Sequence, residues 1–344
     1  MCQKQSVNCK RSSVKLGIQQ VFFSSTLSLQ GWFMHSLLIL LGLLASATSF
    51  ALPHLEDHHD WREDYMAYLS VQYDLPMSYQ KTTKTQFATK RLDMAFFKEK
   101  LITLSSTSDR RSIENLDIAR QFLKSEYEKI GFEVRFENFG GGSNFVAEKK
   151  GATSPEKVLI LSSHIDSVRC KGANDNGTGT IGLLTVAQEL AKNNYAYTVR
   201  VLGFDKEETG LVGSDAYVAS LQNKSNIIGN INFEMMGVNS RKDGSFHVID
   251  CQKATSVAIS NEIRSSIANL GLPLTIVKAC TDRSDHASFW RHDLPAVVIS
   301  ENFFGGDADA CYHAKCDIVD ERLDYSYMGN ILEAVLDATE HLLK

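Results

Sequence analysis

Two histidines and five carboxylates stand at loop positions between residues 164 and 313. His164 and Asp166 follow the apolar run VLILSS, and Asp175 lies in GANDNGTG. Glu207 and Glu208 close VRVLGFDK, Glu234 closes IIGNINF, and His313 sits in ACYHAKC. Imidazole and carboxylate without thiolate are the donor set of zinc, or of cobalt or manganese. No Cys-x-x-Cys pair is present, which argues against a thiolate zinc site. One polar residue at a strand end serves equally well as a cap or a turn, but several in successive loops point to a shared centre. The adjacent pair Glu207-Glu208 fits that centre if the two divide the labour. Neighbouring side chains in a strand face opposite ways, so one of the pair can bind metal while the other works as a base on water; the other reading is a solvated acidic turn.

The elements that position these residues follow from the apolar pattern. Helical spacing runs through Phe96, Phe97, Leu101 and Leu104, then through Ile113, Ile118, Phe122 and Tyr127. Strands are predicted over 132–136, 144–147 and 157–162, the last apolar enough to be covered on both faces. A helix over 178–192, a strand over 198–204, a helix over 213–221 and a strand over 228–233 follow. Further strands fall at 246–249, 274–277 and 296–300, with helices at 256–270, 288–291 and 325–343. Strands separated by helices predict an α/β fold: a single domain with a mostly parallel, mixed central sheet covered by helices on both faces. In such sheets ligands bind beyond the carboxyl ends of the strands, where the candidate residues lie.

The first 51 residues have a different character. They carry Lys4, Lys10, Arg11 and Lys15, no acidic residue, and the apolar run Leu37–Leu44, with small residues before Leu52. This is the pattern of a leader cleaved near Ala51, whether the chain starts at Met1 or at Met34, and it predicts a secreted or periplasmic protein. Residues 52–91, including His58-His59-Asp60, read as an N-terminal extension or propeptide, and 92–344 as the catalytic domain. Without the leader, 32 basic face 41 acidic residues, a net charge of −9. That excess disfavours nucleic acid and anionic membrane as partners, and no stable membrane association is expected after cleavage. Five cysteines remain, Cys170, Cys251, Cys280, Cys311 and Cys316, an odd count that leaves at least one thiol outside any internal pair.

The segments HIDSV, GANDNGTG, DKEETGLVGS, NFEMMG, SDHASF and CYHAKCD, in this order, resemble the motif set of the co-catalytic zinc aminopeptidases of the M28 peptidase family, secreted bacterial type. The resemblance covers roughly Leu92 to Lys344. It implies two zinc ions per chain, with Asp175 bridging them, His164 and Glu234 completing one site and Glu208 and His313 the other. The open positions would hold a water acidified by the metals, with Glu207 as general base. Asp166 would orient the His164 imidazole. The family usually has Asp where this chain has Glu234, one methylene longer with the same donor atoms. His286 of SDHASF is read as structural, not as a ligand.

The loop CYHAKC resembles one that closes with a disulfide in secreted bacterial members, so Cys311–Cys316 is expected to be bonded. Tyr312 within it would face the reacting carbonyl as an oxyanion donor, or else pack against the loop. The implied function is hydrolysis of the N-terminal peptide bond of peptides or proteins. The alternative is a glutaminyl cyclase, an acyl transferase of the same fold with one zinc. It would retain Asp175, Glu208 and His313, whereas GANDNGTG and the retained His164 favour two metals.

Overall fold

A computed structural model describes residues 91–344. The expected leader and cleavage point, the propeptide and the His58-His59-Asp60 cluster lie outside the described residues.

Two helices open the described chain, α1 (Met94–Leu104) and α2 (Ile113–Lys129). Each begins where a short polar side chain takes up otherwise unpaired amides. Asp93 accepts from the Ala95 and Phe96 amides at 3.0 and 2.9 Å, and Ser112 from the Asn115 amide at 3.2 Å. The hairpin β1 (Glu133–Phe139) and β2 (Gly142–Lys149) leads into β3 (Ser154–His164). Then come α3 (Gly179–Leu190), β4 (Tyr197–Phe204), α4 (Val212–Ser220), β5 (Ile227–Glu234) and β6 (Ser245–Ile249). The chain continues through α5 (Val257–Leu270), β7 (Thr275–Ile276), α6 (His286–Trp290), β8 (Ala296–Glu301) and α7 (Tyr325–Leu342).

One eight-stranded sheet runs in the order β1-β2-β4-β3-β5-β8-β6-β7. Its centre, β4-β3-β5-β8, is parallel, while β2 adds antiparallel to β4 and β6 antiparallel to β8. The mixed, helix-covered sheet expected from the pattern is the one observed. From Val158 to His164 every residue of β3 is buried. Leu159 and Leu161 pack with α3 and α7 through Leu184 and Leu332, while Val158 and Ile160 face Tyr217 of α4 and Phe289 of α6. An apolar run without polar alternation is what two covered faces demand.

Strand β3 is also where the topology reverses. The chain leaves it through α3 to reach β4 on one side, then crosses through α4 to β5 on the other. The two outgoing connections diverge and leave a crevice at the carboxyl edge. His164, the last residue of β3, opens directly onto it.

Three boundaries differ from expectation. The predicted helix over 178–192 starts at Gly179, because Ala173–Thr178 forms a separate wide turn in which Asp175 and Asn176 are not helical. Strand β7 is two residues long, since the chain beyond Ile276 turns to line the crevice. Strand β4 begins at Tyr197, one residue before the predicted start, and stops at Phe204, short of the two glutamates.

Candidate active site

Asp175 stands at the centre of the crevice with one oxygen in each of two groups. Its Oδ1 lies 3.4 Å from Nε2 of His164, which is also 3.4 Å from Glu234 Oε1. Its Oδ2 lies 3.0 Å from Nε2 of His313, which is 3.2 Å from Glu208 Oε2. In the trios His164–Asp175–Glu234 and Asp175–Glu208–His313 the donor atoms all lie within 4.8 Å of one another. Three donors that close together, two of them anionic and all but His313 buried or half-buried, fit a divalent cation. A second observation agrees: Asp175 Oδ2 and Glu208 Oε1 are buried and make no hydrogen bond, although His313 Nε2 is within reach of the former. Buried carboxylate oxygens without a donor are costly unless a cation satisfies them.

The remaining expected residues gather around these trios. Glu207 and Tyr312 line the same cavity as the five candidate ligands. The Tyr312 ring stacks on the His313 imidazole with centroids 3.8 Å apart and meets Phe303 edge-on at 5.0 Å. It therefore packs against its loop and also faces the cavity. His286 belongs to neither trio; its Nε2 lies 2.9 Å from the Thr281 carbonyl oxygen and its ring is edge-on to Trp290.

The two glutamates do not end a strand. Lys206, at φ +61°, breaks β4, and both residues lie in the turn beyond it. Both are held by the carboxylate of Asp166, whose Oδ1 accepts the Glu207 amide and Oδ2 the Glu208 amide, each at 3.2 Å. Asp166 Oδ1 also lies 3.4 Å from Nδ1 of His164. One carboxylate thus ties the end of β3 to the turn after β4.

Burial dominates the titration of this crevice. It pushes Glu207 well above the usual carboxylate range, with Asp285, Glu234 and Asp166 adding to the rise and His164 opposing it. Glu208 is pushed up to about 7 by burial and by the Asp175 charge. Burial works the other way on His164, yet Glu234, Glu207, Asp166 and Asp175 together raise it well above its ordinary value. Asp175 is itself buried, but His164 and His313 hold it far below the usual range. Opposed shifts among neighbours mark a site where protonation states are assigned by position.

Several residues that hold the site escape the sequence pattern. Asp317 accepts the amides of Asn174 and Asp175 at 2.7 and 3.0 Å, fixing the turn that presents Asp175. Arg110, fully buried, donates to the carbonyls of Ile165 and Gly172 at 2.8 Å each and to that of Lys171. It pins both ends of the loop that follows His164. At Gly172, φ is +59°, and a Cβ there would sit 2.4 Å from the Asp175 carbonyl oxygen, so only glycine fits. The side chains of Asn174, Asn176 and Thr178 accept the amides of Gly237, Met235 and Met236, templating the chain just after Glu234. Ser284 donates to Glu234 Oε2 at 2.7 Å. The crowding of Asn, Asp and Thr in GANDNGTG was a readable sign of this backbone work. Nothing local marks Arg110 or Asp317, because their partners lie 55 to 143 residues away.

Two disulfides occur among the described residues. Cys311–Cys316, as expected, closes the loop carrying Tyr312 and His313 with Cα atoms 5.3 Å apart, and Cys251 pairs with Cys280. Cys170 is a buried free thiol.

A central parallel sheet whose strand ends and adjoining loops supply two His–carboxylate trios sharing one aspartate defines an α/β protein with a paired metal-type crevice. The chain belongs to peptidase family M28, whose family model matches residues 144–339. It is 35% identical over 200 residues to leucine aminopeptidase 2 of Arthroderma otae, a match covering 52% of this chain and 40% of that protein. The chain therefore spans less than half the length of that curated relative. In fold it resembles the LapA aminopeptidase of Legionella pneumophila, with a TM-score of 0.66 and 21% identity over 78% of each chain. It also resembles a glutaminyl cyclase of Bacteroides thetaiotaomicron, with a TM-score of 0.64 and 16% identity over 72% of this chain and 97% of that one.

Proposed function

We propose that this chain is a zinc-dependent aminopeptidase that hydrolyses the N-terminal peptide bond of peptides or proteins. The observation that carries the reading is Asp175, whose two oxygens each face a separate imidazole, at 3.4 and 3.0 Å. A cyclase-type site with one zinc needs only the trio with Glu208 and His313. The second trio, His164–Asp175–Glu234, supports two ions. The longer Glu234 does not exclude the second ion, since one oxygen reaches the trio while the other is held by Ser284.

His164, Asp175 and Glu234 would hold one zinc, and Asp175, Glu208 and His313 the other. Ions bound there would polarise the scissile carbonyl and acidify a water. The protein's own part is positioning and proton handling. A substrate ammonium group is drawn to the carboxylate-rich wall. Glu207, lining the cavity without belonging to either trio, takes the proton from the attacking water and returns it to the leaving amine. Its elevated proton affinity suits it to carry that proton between the two steps. The Tyr312 phenol is held protonated by burial and by the surrounding carboxylates, so it can donate to the oxygen that gains charge.

Residues 1–51 would act as a signal peptide, 52–91 as an extension or propeptide and 92–344 as the catalytic domain of an exported enzyme. Two disulfides support an oxidising compartment, and no helix among the described residues is long and apolar enough to cross a membrane. Metal analysis of the purified chain, with assays on leucine anilide and on an N-terminal glutamine peptide, tests the reading. Two zinc ions with anilide hydrolysis support it; one zinc with cyclisation of glutamine would make the chain a cyclase.

A further inference from the structure

One lysine or arginine side chain lines the crevice among the described residues, that of Arg283. Its surroundings are otherwise anionic at the floor, from Asp175, Glu207, Glu208 and Glu234, and apolar toward Met235, Phe303 and Phe304. Despite those four carboxylates, the Arg283 side chain makes no hydrogen bond or ion pair among the described residues; its backbone amide donates to Thr281 Oγ1 at 3.2 Å.

The backbone that carries it is nonetheless fastened on both sides. Upstream, the Val277 amide donates to the Phe246 carbonyl at 2.8 Å, and the Cys251–Cys280 disulfide ties the segment to the end of β6. The His286 ring contacts the Thr281 carbonyl at 2.9 Å. Downstream, the very next residue, Ser284, is hydrogen-bonded to Glu234. An arginine on an anchored segment, one residue from a candidate ligand's partner, keeps a guanidinium without a partner among the described residues beside the place where the peptide must lie. A guanidinium recognises carboxylate in a bidentate, charge-assisted manner, and a fixed backbone lowers the cost of ordering it.

We propose that Arg283 binds a carboxylate of the substrate and so directs the enzyme toward acidic peptide ends. This deepens the aminopeptidase reading and rests on it. The carboxylate has two sources within reach of the scissile bond. It is either the side chain of an N-terminal Asp or Glu, or the free C-terminus of a dipeptide.

The test compares kcat/KM of the zinc-loaded wild-type chain with Arg283→Gln and Arg283→Lys on two substrate pairs, Glu- against Gln-anilide and Leu-Gly against Leu-Gly-amide. Leu-anilide serves as the general measure of activity. In Arg283→Gln the acid-to-neutral ratio of one pair should fall about ten- to a hundredfold, through KM more than kcat, the scale of a lost charge-assisted contact. Arg283→Lys should restore part of it. A fall confined to the anilide pair assigns the side-chain carboxylate, and one confined to the dipeptide pair assigns the C-terminus. If both ratios hold in Arg283→Gln, or if all substrates decline alike, the proposal is overturned. Wild-type chain that cleaves none of the five substrates, Leu-anilide included, overturns the aminopeptidase reading itself, and this inference falls with it.

Discussion

The two halves of the crevice are built from the same residue types by different means. The half with His164 and Glu234 grows from the last residues of β3 and β5, adjacent central strands. His164 is 1% exposed, and buried groups brace this half: the Asp166 backbone carbonyl lies 3.2 Å from the imidazole Nδ1, and Ser284 donates to the glutamate. The half with Glu208 and His313 hangs on a turn beyond β4 and on a six-residue disulfide loop. His313 has a side chain 39% exposed and sits at φ +58°. A left-handed histidine costs on the order of 1 kcal/mol, and the Cys311–Cys316 closure offsets about 2 kcal/mol of chain entropy in a loop of that size. Strand ends position ligands through the sheet's own cooperativity, whereas a loop needs a local constraint. The strand-built half should therefore be the more rigid and the loop-built half the easier to empty.

The largest effect should come from the residue the halves share. Asp175→Asn removes an anionic oxygen from both trios, so metal content should fall at both positions. Turnover of leucine anilide should drop by well over a hundredfold, since even groups that only support ligands are worth about ten- to a hundredfold. Retention of two zinc ions by elemental analysis would contradict the shared-aspartate arrangement. Glu207→Gln comes next. It should keep both metals while turnover falls by roughly a hundredfold or more, the scale of general-base loss. Simultaneous loss of metal would instead make Glu207 a ligand.

The comparison itself is sharpened by His313→Ala and Ser284→Ala. The first should release one zinc and leave the other with His164, and in the wild type a chelator should empty the His313 position first, visible as two-phase zinc release. The second should weaken the other position by about tenfold to a hundredfold, without unfolding the chain. Release in a single phase from both would mean that the halves are not distinct.

The smallest effects separate stability from activity. Removing Cys251–Cys280, which closes 29 residues of separation, should lower stability by about 3–4 kcal/mol, against about 2 kcal/mol for Cys311–Cys316 at a separation of 5. Activity should show the opposite order, because only the shorter loop carries a proposed ligand. Thermal melts paired with anilide assays of the two serine double variants would read both.

The sheet and the identities of its candidate ligands were legible because both are local properties of the chain. Buried strands write themselves as apolar runs such as VLILSS, and a strand end followed by His, Asp or Glu needs no distant partner to be noticed. The alternation argument for Glu207 and Glu208 assumed a strand that ends before it reaches them. Their amides are held by Asp166, 41 and 42 residues earlier, rather than by strand geometry.

The sequence by itself determined which side chains have metal-binding chemistry, that parallel strands would carry them to one edge, and that Cys311 and Cys316 could close a loop. Tertiary structure alone decided that Asp175 faces both histidines, that Cys280 takes Cys251 and leaves Cys170 free, and that Arg110 and Asp317 hold the loops. It also decided that Arg283 stands in the crevice wall with no side-chain partner among the described residues. The contacts involved run from 11 residues apart, His164 to Asp175, to 143, Asn174 to Asp317, and residue type records a side chain's chemistry without recording which other segment folds against it.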